Sequence, residues 1–372
     1  MSLTTRFMLP LSCCVALLIG LLRSPEPARA PTLSLDALRE RLNAQLWPTY
    51  PLSVSQPELP SQLCTPPLST QAFSSALVMG DTRADRAGLG PSARWPSLST
   101  EALKRNPQLL VHLGDWVTRG GELIEWRYAL EAALQMGLPI LTVRGNHDRG
   151  PHWPSLGLDA TPSTRSARSP LRVTRVGETL VYLLDTETTA LDAREAVEAH
   201  AQASGDRGLC FQAQQVLWLQ HRPIWSRGPH GSDERGWAHW LVPALERLGV
   251  QLLLAGHDHN YERMERSLGV GAERRATPSG LLYLTSGGAG AVTAPLPDLS
   301  WRVSAEQRTQ DRALSAHFSG APHTLSLSFG EEGLQITAWS TPREGVSERI
   351  DEAFIEALRP HQNGIGIRLK GR

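Results

Sequence analysis

Aspartate, asparagine and histidine recur at matching places in this 372-residue sequence, each just after a short apolar run. Gly80-Asp81 follows the run at 76–79, and Gly114-Asp115 follows the run at 109–113. Arg144-Gly145-Asn146-His147-Asp148 follows 140–143, Gln220-His221 follows 216–219, and Gly256-His257-Asp258-His259 follows 252–255. Carboxylate, carboxamide oxygen and imidazole together suit borderline divalent or trivalent ions such as zinc, manganese or iron. One carboxylate can bridge two such ions, and Asp115 is the candidate for that place. Two ions about 3.5–4 Å apart clamp a phosphoester, activate a bound water and stabilise both the entering and leaving oxygens. That chemistry needs no protein nucleophile, and the sequence holds no G-x-S-x-G elbow. A lone Gly-Asp is ordinarily a turn, and a lone His-x-His is ordinarily a surface or core pair. Three consecutive polar side chains, as in Asn146-His147-Asp148, are harder to bury without purpose. The five blocks in series are what point to a site.

The elements that must position these residues follow from the same runs. Five apolar runs, with two more at 180–184 and 281–284, alternate with helical stretches, so the chain reads as α/β with largely parallel buried strands. The spacing predicts helices over 35–46, 100–105, 122–136, 190–203 and 236–248, with Ser34 and Thr100 as caps and Gly137 and Gly249 as stops. In open α/β sheets ligands collect at the C-terminal ends of strands, which is where all five blocks fall. Two later strands, 324–329 and 334–340, read as an antiparallel pair turning at Gly330 and Gly333. Trp225, Trp237 and Trp240 read as core packing near the site.

Composition sets the outer limits. Lysine plus arginine equals aspartate plus glutamate, 37 each, which gives no electrostatic reason to expect nucleic acid or an acidic membrane as partner. Arg6, an apolar run of about 16 residues and Ala28-Arg29-Ala30 read as a cleaved signal peptide over 1–30, the run being short of the ~20 residues that span a bilayer. Export follows as an expectation, secreted or periplasmic, and with it a disulfide between Cys64 and Cys210 as an open possibility. Residues 31–70 read as a Pro/Ser-rich extension wrapped on the surface, 71–345 as the catalytic domain and 346–372 as a C-terminal tail, amphipathic in its first part.

The order of the blocks resembles the calcineurin-like metallophosphoesterase superfamily. Gly80-Asp81, Gly114-Asp115-Trp116-Val117, Gly145-Asn146-His147-Asp148, His221-Arg222-Pro223 and Gly256-His257-Asp258-His259-Asn260-Tyr261-Glu262-Arg263 carry the resemblance. The last block, with Ser286-Gly287-Gly288-Ala289-Gly290, resembles the branch that includes purple acid phosphatases. The resemblance implies a four-layer α-β-β-α sandwich of two mixed sheets. It implies a first metal on Asp81, Asp115 and His259 and a second on Asp115, Asn146, His221 and His257. It places His147 over the substrate as general acid or phosphate-orienting group, with Asp148 orienting His147. His230 sits in a loop that often presents a histidine to substrate. The implied substrate is a small phosphomonoester; the alternatives are a diesterase or nucleotidase with the same metals, or a non-catalytic descendant that binds phosphorylated ligands.

Two positions depart from the pattern. Arg83 stands where the superfamily usually has a histidine, and arginine stays protonated and cannot ligate. Water or Asp85 filling the gap, a weakened first metal, and Arg83 binding substrate phosphate are the three readings. Thr118 stands where an aspartate or tyrosine is usual, so no purple ferric colour is expected. Arg119 and Arg144 flank the blocks as possible phosphate contacts.

Overall fold

A computed structural model describes residues 31–58, 73–84, 90–158, 169–207, 213–265, 267–268, 275–276, 281–291, 293, 296–298, 303–341 and 346–357. The signal segment, Cys64, Cys210 and Asp85 lie outside them.

The apolar runs become the centre strands of two facing sheets. In the first sheet, β2 (Ser75–Met79), β3 (Leu110–His112) and β4 (Ile140–Thr142) lie parallel, and β14 (His323–Gly330), β15 (Gly333–Ser340) and β16 (Glu348–Glu356) continue it antiparallel. In the second, β6 (Thr179–Leu184), β7 (Gln215–Gln220), β8 (Leu252–Ala255) and β12 (Leu282–Ser286) are parallel. They are flanked by antiparallel β5 (Leu171–Val176) and β1 (Tyr50–Leu52) on one side, and by β9 (Tyr261–Glu265) and β13 (Ser315–Ser319) on the other. A strand buried on both faces has no polar side to alternate with, which is why these runs are apolar throughout. Ala76, Val78, Val111 and Leu141 face Leu217, Leu219, Leu252 and Leu254 of the other sheet. The alternate residues Leu77, Met79, Leu110 and Ile140 turn outward under α1 (Leu35–Gln45), α2 (Trp95–Leu103) and α3 (Leu123–Leu134). Helices α5 (Ala190–Arg207) and α6 (Ala238–Arg247) cover the second sheet. The layering is therefore α-β-β-α, as expected. Between α3 and α5 lies a single turn, α4 (His152–Ser155), a small antiparallel pair of β10 (Ser267–Leu268) and β11 (Arg275–Ala276) follows β9, and α7 (Ala305–Leu314) precedes β13.

Several elements differ from expectation. The helix expected over 100–105 starts at Trp95 instead, with Pro96 in its first turn, where a missing N–H costs no helical bond. Residues 31–58, the described part of the extension, are built into the layers: Ser34 caps α1, Leu38 and Leu42 are buried against α3, and β1 pairs with β5. The stretch expected as a tail supplies β16, whose Ala353 and Ile355 enter the inter-sheet core. Trp237 and Trp240, at the start of α6, pack into the core with Trp225 partly buried against it, as expected. Among the described residues no helix is long and apolar enough to cross a membrane.

Candidate metal centre

The five blocks converge where the two sheets' parallel strands end. Asp81, Asp115 and Asn146 arrive from β2, β3 and β4, and His221 and His257 from β7 and β8. Three of these residues are held at positive φ: Asp81 at 58°, Asp115 at 58° and His257 at 70°. Non-glycine residues adopt that region at a cost, and such strain concentrates at functional sites. It is sustained here by cross-links among the loops. Asp81 N–H donates to Gly114 O at 2.9 Å, and His257 N–H donates to Asp81 Oδ2 at 2.8 Å. Gly145 must be glycine, because a Cβ there would collide with the Asp115 backbone nitrogen and Oδ1.

Acceptor atoms face one another in the middle. His221 Nδ1–H donates to Leu113 O at 2.8 Å, which turns the lone pair of Nε2 inward. That Nε2 lies 3.0 Å from Asn146 Oδ1 and 3.4 Å from Asp115 Oδ1, and neither oxygen can donate. Asp81 Oδ1 is buried with no hydrogen-bond partner. Ligand atoms of Asp81, Asp115 and His221 all lie within 4.8 Å of one another. Converging lone pairs in a buried place call for a cation. Burial opposes a charge on His221, yet Asp115, Asp81 and Glu187 raise its pKa. Burial raises the Asp115 carboxyl too, but His221, His147 and Arg83 hold it at about 2. It is ionised and ready to ligate.

His257 packs edge-on to His221, with ring centroids 5.0 Å apart. Burial, with the neighbouring His221, His230 and Arg222, holds its pKa well below the ordinary value. Its Nε2 is 2.8 Å from Glu234 Oε2 and 3.1 Å from Arg222 Nη1, so Nδ1 is the nitrogen left for an ion. Arg222 is in turn clasped by Glu187, 2.7 Å from its Nε, and by Glu234. A carboxylate on the far nitrogen is the usual support of a ligating imidazole. Glu234 and Glu187 escaped the sequence reading because they adjoin no motif and reach the centre only through space.

The remaining expected residues are placed as follows. His147 is half-buried at the rim; its N–H donates to Asp115 Oδ1 at 2.9 Å, and its Nδ1 lies 2.8 Å from Thr118 O. The hydrogen bonds of the Asp148 carboxylate run to backbone N–H groups, not to His147, the partner expected of it. The carboxylate points inward and accepts from the N–H groups of Asp115, Trp116, Val117 and Gly145 at 2.8–3.3 Å. Burial and the Asp115 charge push it up to about 7, against the Gly145 and Asp115 N–H donors and the nearby His221. It shapes the Asp115 loop. His230 stacks on His257 at 3.9 Å and bonds Asp258 Oδ1 at 2.7 Å. Thr118 Oγ1 donates to Ala84 O at 3.0 Å. Arg119 pairs with Glu125 and Arg144 with Asp185.

Arg83 enters the centre. Its Nε lies 3.4 Å from Asp115 Oδ2, and its Nη2 lies 3.5 Å from His259 Nε2. His259 Nε2 is also 3.5 Å from Asp81 Oδ1. The residues present thus fit an ion among Asp81, Asp115 and His221, with Asn146 Oδ1 beside the same imidazole and His257 packed edge-on behind it. On the Asp81, Asp115 and His259 side a guanidinium stands among the donors, and the fit fails.

Fold and site together define a calcineurin-like phosphoesterase: the model of that family matches residues 75–261, half of the chain, and the chain belongs to it. Within it the likeness runs to acid phosphatases. Rabbit (Oryctolagus cuniculus) tartrate-resistant acid phosphatase type 5 is 28% identical over 36% of this chain and 47% of its own length, so the chain spans about half of that curated relative. A purple acid phosphatase from yellow lupin (Lupinus luteus) seeds shares the fold with a TM-score of 0.57 at 15% identity, over 78% of this chain and 55% of its own. GAP50, the anchor in the inner membrane complex of Plasmodium, shares it with a TM-score of 0.52 at 16% identity, over 77% and 90%.

Proposed function

We propose that the chain is a metal-dependent phosphomonoesterase acting on a small phosphorylated substrate. The observation that carries this reading is the convergence of Asp81, Asp115, Asn146 and His221 acceptor atoms beside a rim histidine. Asp115, Asn146, His221 and His257 would hold an iron, manganese or zinc ion. Such an ion supplies Lewis acidity and lowers the pKa of water. His147 works from the rim: its Nδ1–H is spent on Thr118 O, so Nε2 faces the substrate and, as part of the imidazolium, gives its proton to the leaving oxygen or hydrogen-bonds the phosphate. His230, half-exposed beside His257, is a second phosphate contact. The N-terminal segment supports an exported enzyme meeting its substrate outside the cytoplasm.

Hydrolysis of p-nitrophenyl phosphate and bis-p-nitrophenyl phosphate, with and without added metal, tests this. The monoester should be the better substrate, and a reversed preference would indicate a diesterase. Asp115→Ala and His147→Ala should each lower kcat/KM by about a hundredfold or more. Full activity in both variants would sink the mechanism. Hydrolysis of neither ester alongside tight phosphate binding would favour a binding descendant, the reading that Arg83 and Thr118 motivate.

A further inference from the structure

We propose that the guanidinium of Arg83 takes the place of the first metal ion, leaving a centre with one ion and one fixed organic cation. The inference rests on the phosphoesterase reading above and concerns how that site is charged.

The backbone fixes Arg83 at this place. Its N–H donates to Asp115 O at 3.2 Å, and the residue bridges to Pro91. Its side chain is only 15% exposed, low for a residue whose charged head ordinarily stays in water. The two groups that the guanidinium approaches, Asp115 Oδ2 and His259 Nε2, are the two that a first ion would share with Asp81. A guanidinium cannot give a lone pair at any working pH, and its charge repels a divalent ion a few ångströms away. Asp81 is not stranded by this exchange. Its ligand atom lies within 4.8 Å of those of Asp115 and His221, so a closure of a few tenths of an ångström brings all three within the ~4.2 Å that two opposed bonds of about 2.1 Å span. One divalent ion and Arg83 then face two aspartates, and a net positive charge is left to receive a phosphate. With Nε and Nη2 turned to Asp115 and His259, the remaining N–H groups of the fork are the ones open to phosphoryl oxygens. Arg83 thereby becomes a substrate-touching residue as well as a replacement cation.

Metal content separates the possibilities without relying on turnover. The full-length protein is loaded with excess manganese or zinc, desalted and analysed by mass spectrometry for metal per chain. We expect one equivalent in the wild type, one in Arg83→Lys, which keeps the charge, and two in Arg83→His, which restores a ligand. Two equivalents in the wild type would overturn the inference and leave the phosphoesterase reading intact. So would one equivalent in a folded Arg83→His. No bound metal in the wild type would instead remove the phosphoesterase reading, and this inference with it. As a second readout, titration calorimetry with inorganic phosphate should show about tenfold weaker binding in metal-loaded Arg83→Met than in the wild type. Equal affinities would refute the contact with phosphate.

Discussion

At the scale of single residues, the centre depends as much on groups that hold ligands as on the ligands. Glu234 is the clearest case: it bonds the far nitrogen of His257 and fixes which nitrogen faces inward. We expect Glu234→Gln to weaken metal binding by about 10- to 100-fold while the protein stays folded. Competition with a chromophoric chelator would measure it, and an unchanged affinity would rule out the supporting role. Asp148 is the other case. Asparagine there keeps one acceptor and turns an amide toward two backbone donors, which costs about 3 kcal/mol or more. A fall in the urea midpoint of Asp148→Asn should accompany a loss of metal, because the same N–H groups set the Asp115 turn. The residues proposed as ligands were legible in the sequence because each sits at a strand end in its own block. The partner of Asp148 was not. Adjacency in sequence suggested His147, but the turn through Gly145 sends successive side chains in different directions and buries the carboxylate.

At the scale of elements, β9 ties the second sheet to the α7–β13 segment through Glu262. Its carboxylate accepts from Arg227 N–H at 2.8 Å and from Ser315 Oγ at 2.7 Å, and burial pushes its pKa up to about 7 against those donors and Arg227, with the buried Asp258 adding to the rise. The folded chain therefore holds a proton on Glu262 that the unfolded chain releases near its ordinary value of 4.5. Stability from this group is complete below that value, is lost as pH rises toward 7, and is level beyond it, a change of up to about 3 kcal/mol. Glu262→Gln should flatten this part of the profile. Urea midpoints of both proteins across that pH window check it, and parallel profiles would refute it. These elements also mark where the sequence stopped speaking. Strands β2, β3, β4, β7 and β8 announce themselves as unbroken apolar runs because both faces are covered. Ser315–Ser319 and Ala305–Leu314 carry no continuous apolar run, and polar ties such as Ser232 to Asp311 help set their place. Glu348–Glu356 buries only alternate residues near its end, a half-signal that passes for an amphipathic tail.

At the scale of the whole molecule, the centre is a joint between two sheets. Asp81, Asp115 and Asn146 belong to one and His221 and His257 to the other, with Leu113 O to His221 Nδ1 as a direct cross-link. The buried carboxylates of Asp81 and Asp115 lie side by side at the edge of the first sheet, with Arg83 and His221 beside Asp115 and His259 beside Asp81. An ion that binds the folded chain alone stabilises it by about 2.7 kcal/mol at a free concentration a hundred times Kd. For a domain of this size that corresponds to a rise in Tm of roughly 5 °C. Chelation should lower the melting temperature by that amount, and readdition of manganese or zinc should restore it. Asp115→Ala, which removes the residue common to both sides of the centre, should melt at one temperature whether or not metal is present. A wild-type Tm indifferent to chelation would mean that the ion does not bridge the sheets. The joint would then be held by its hydrogen bonds alone, and the convergence of acceptors at the strand ends would need another cation to explain it.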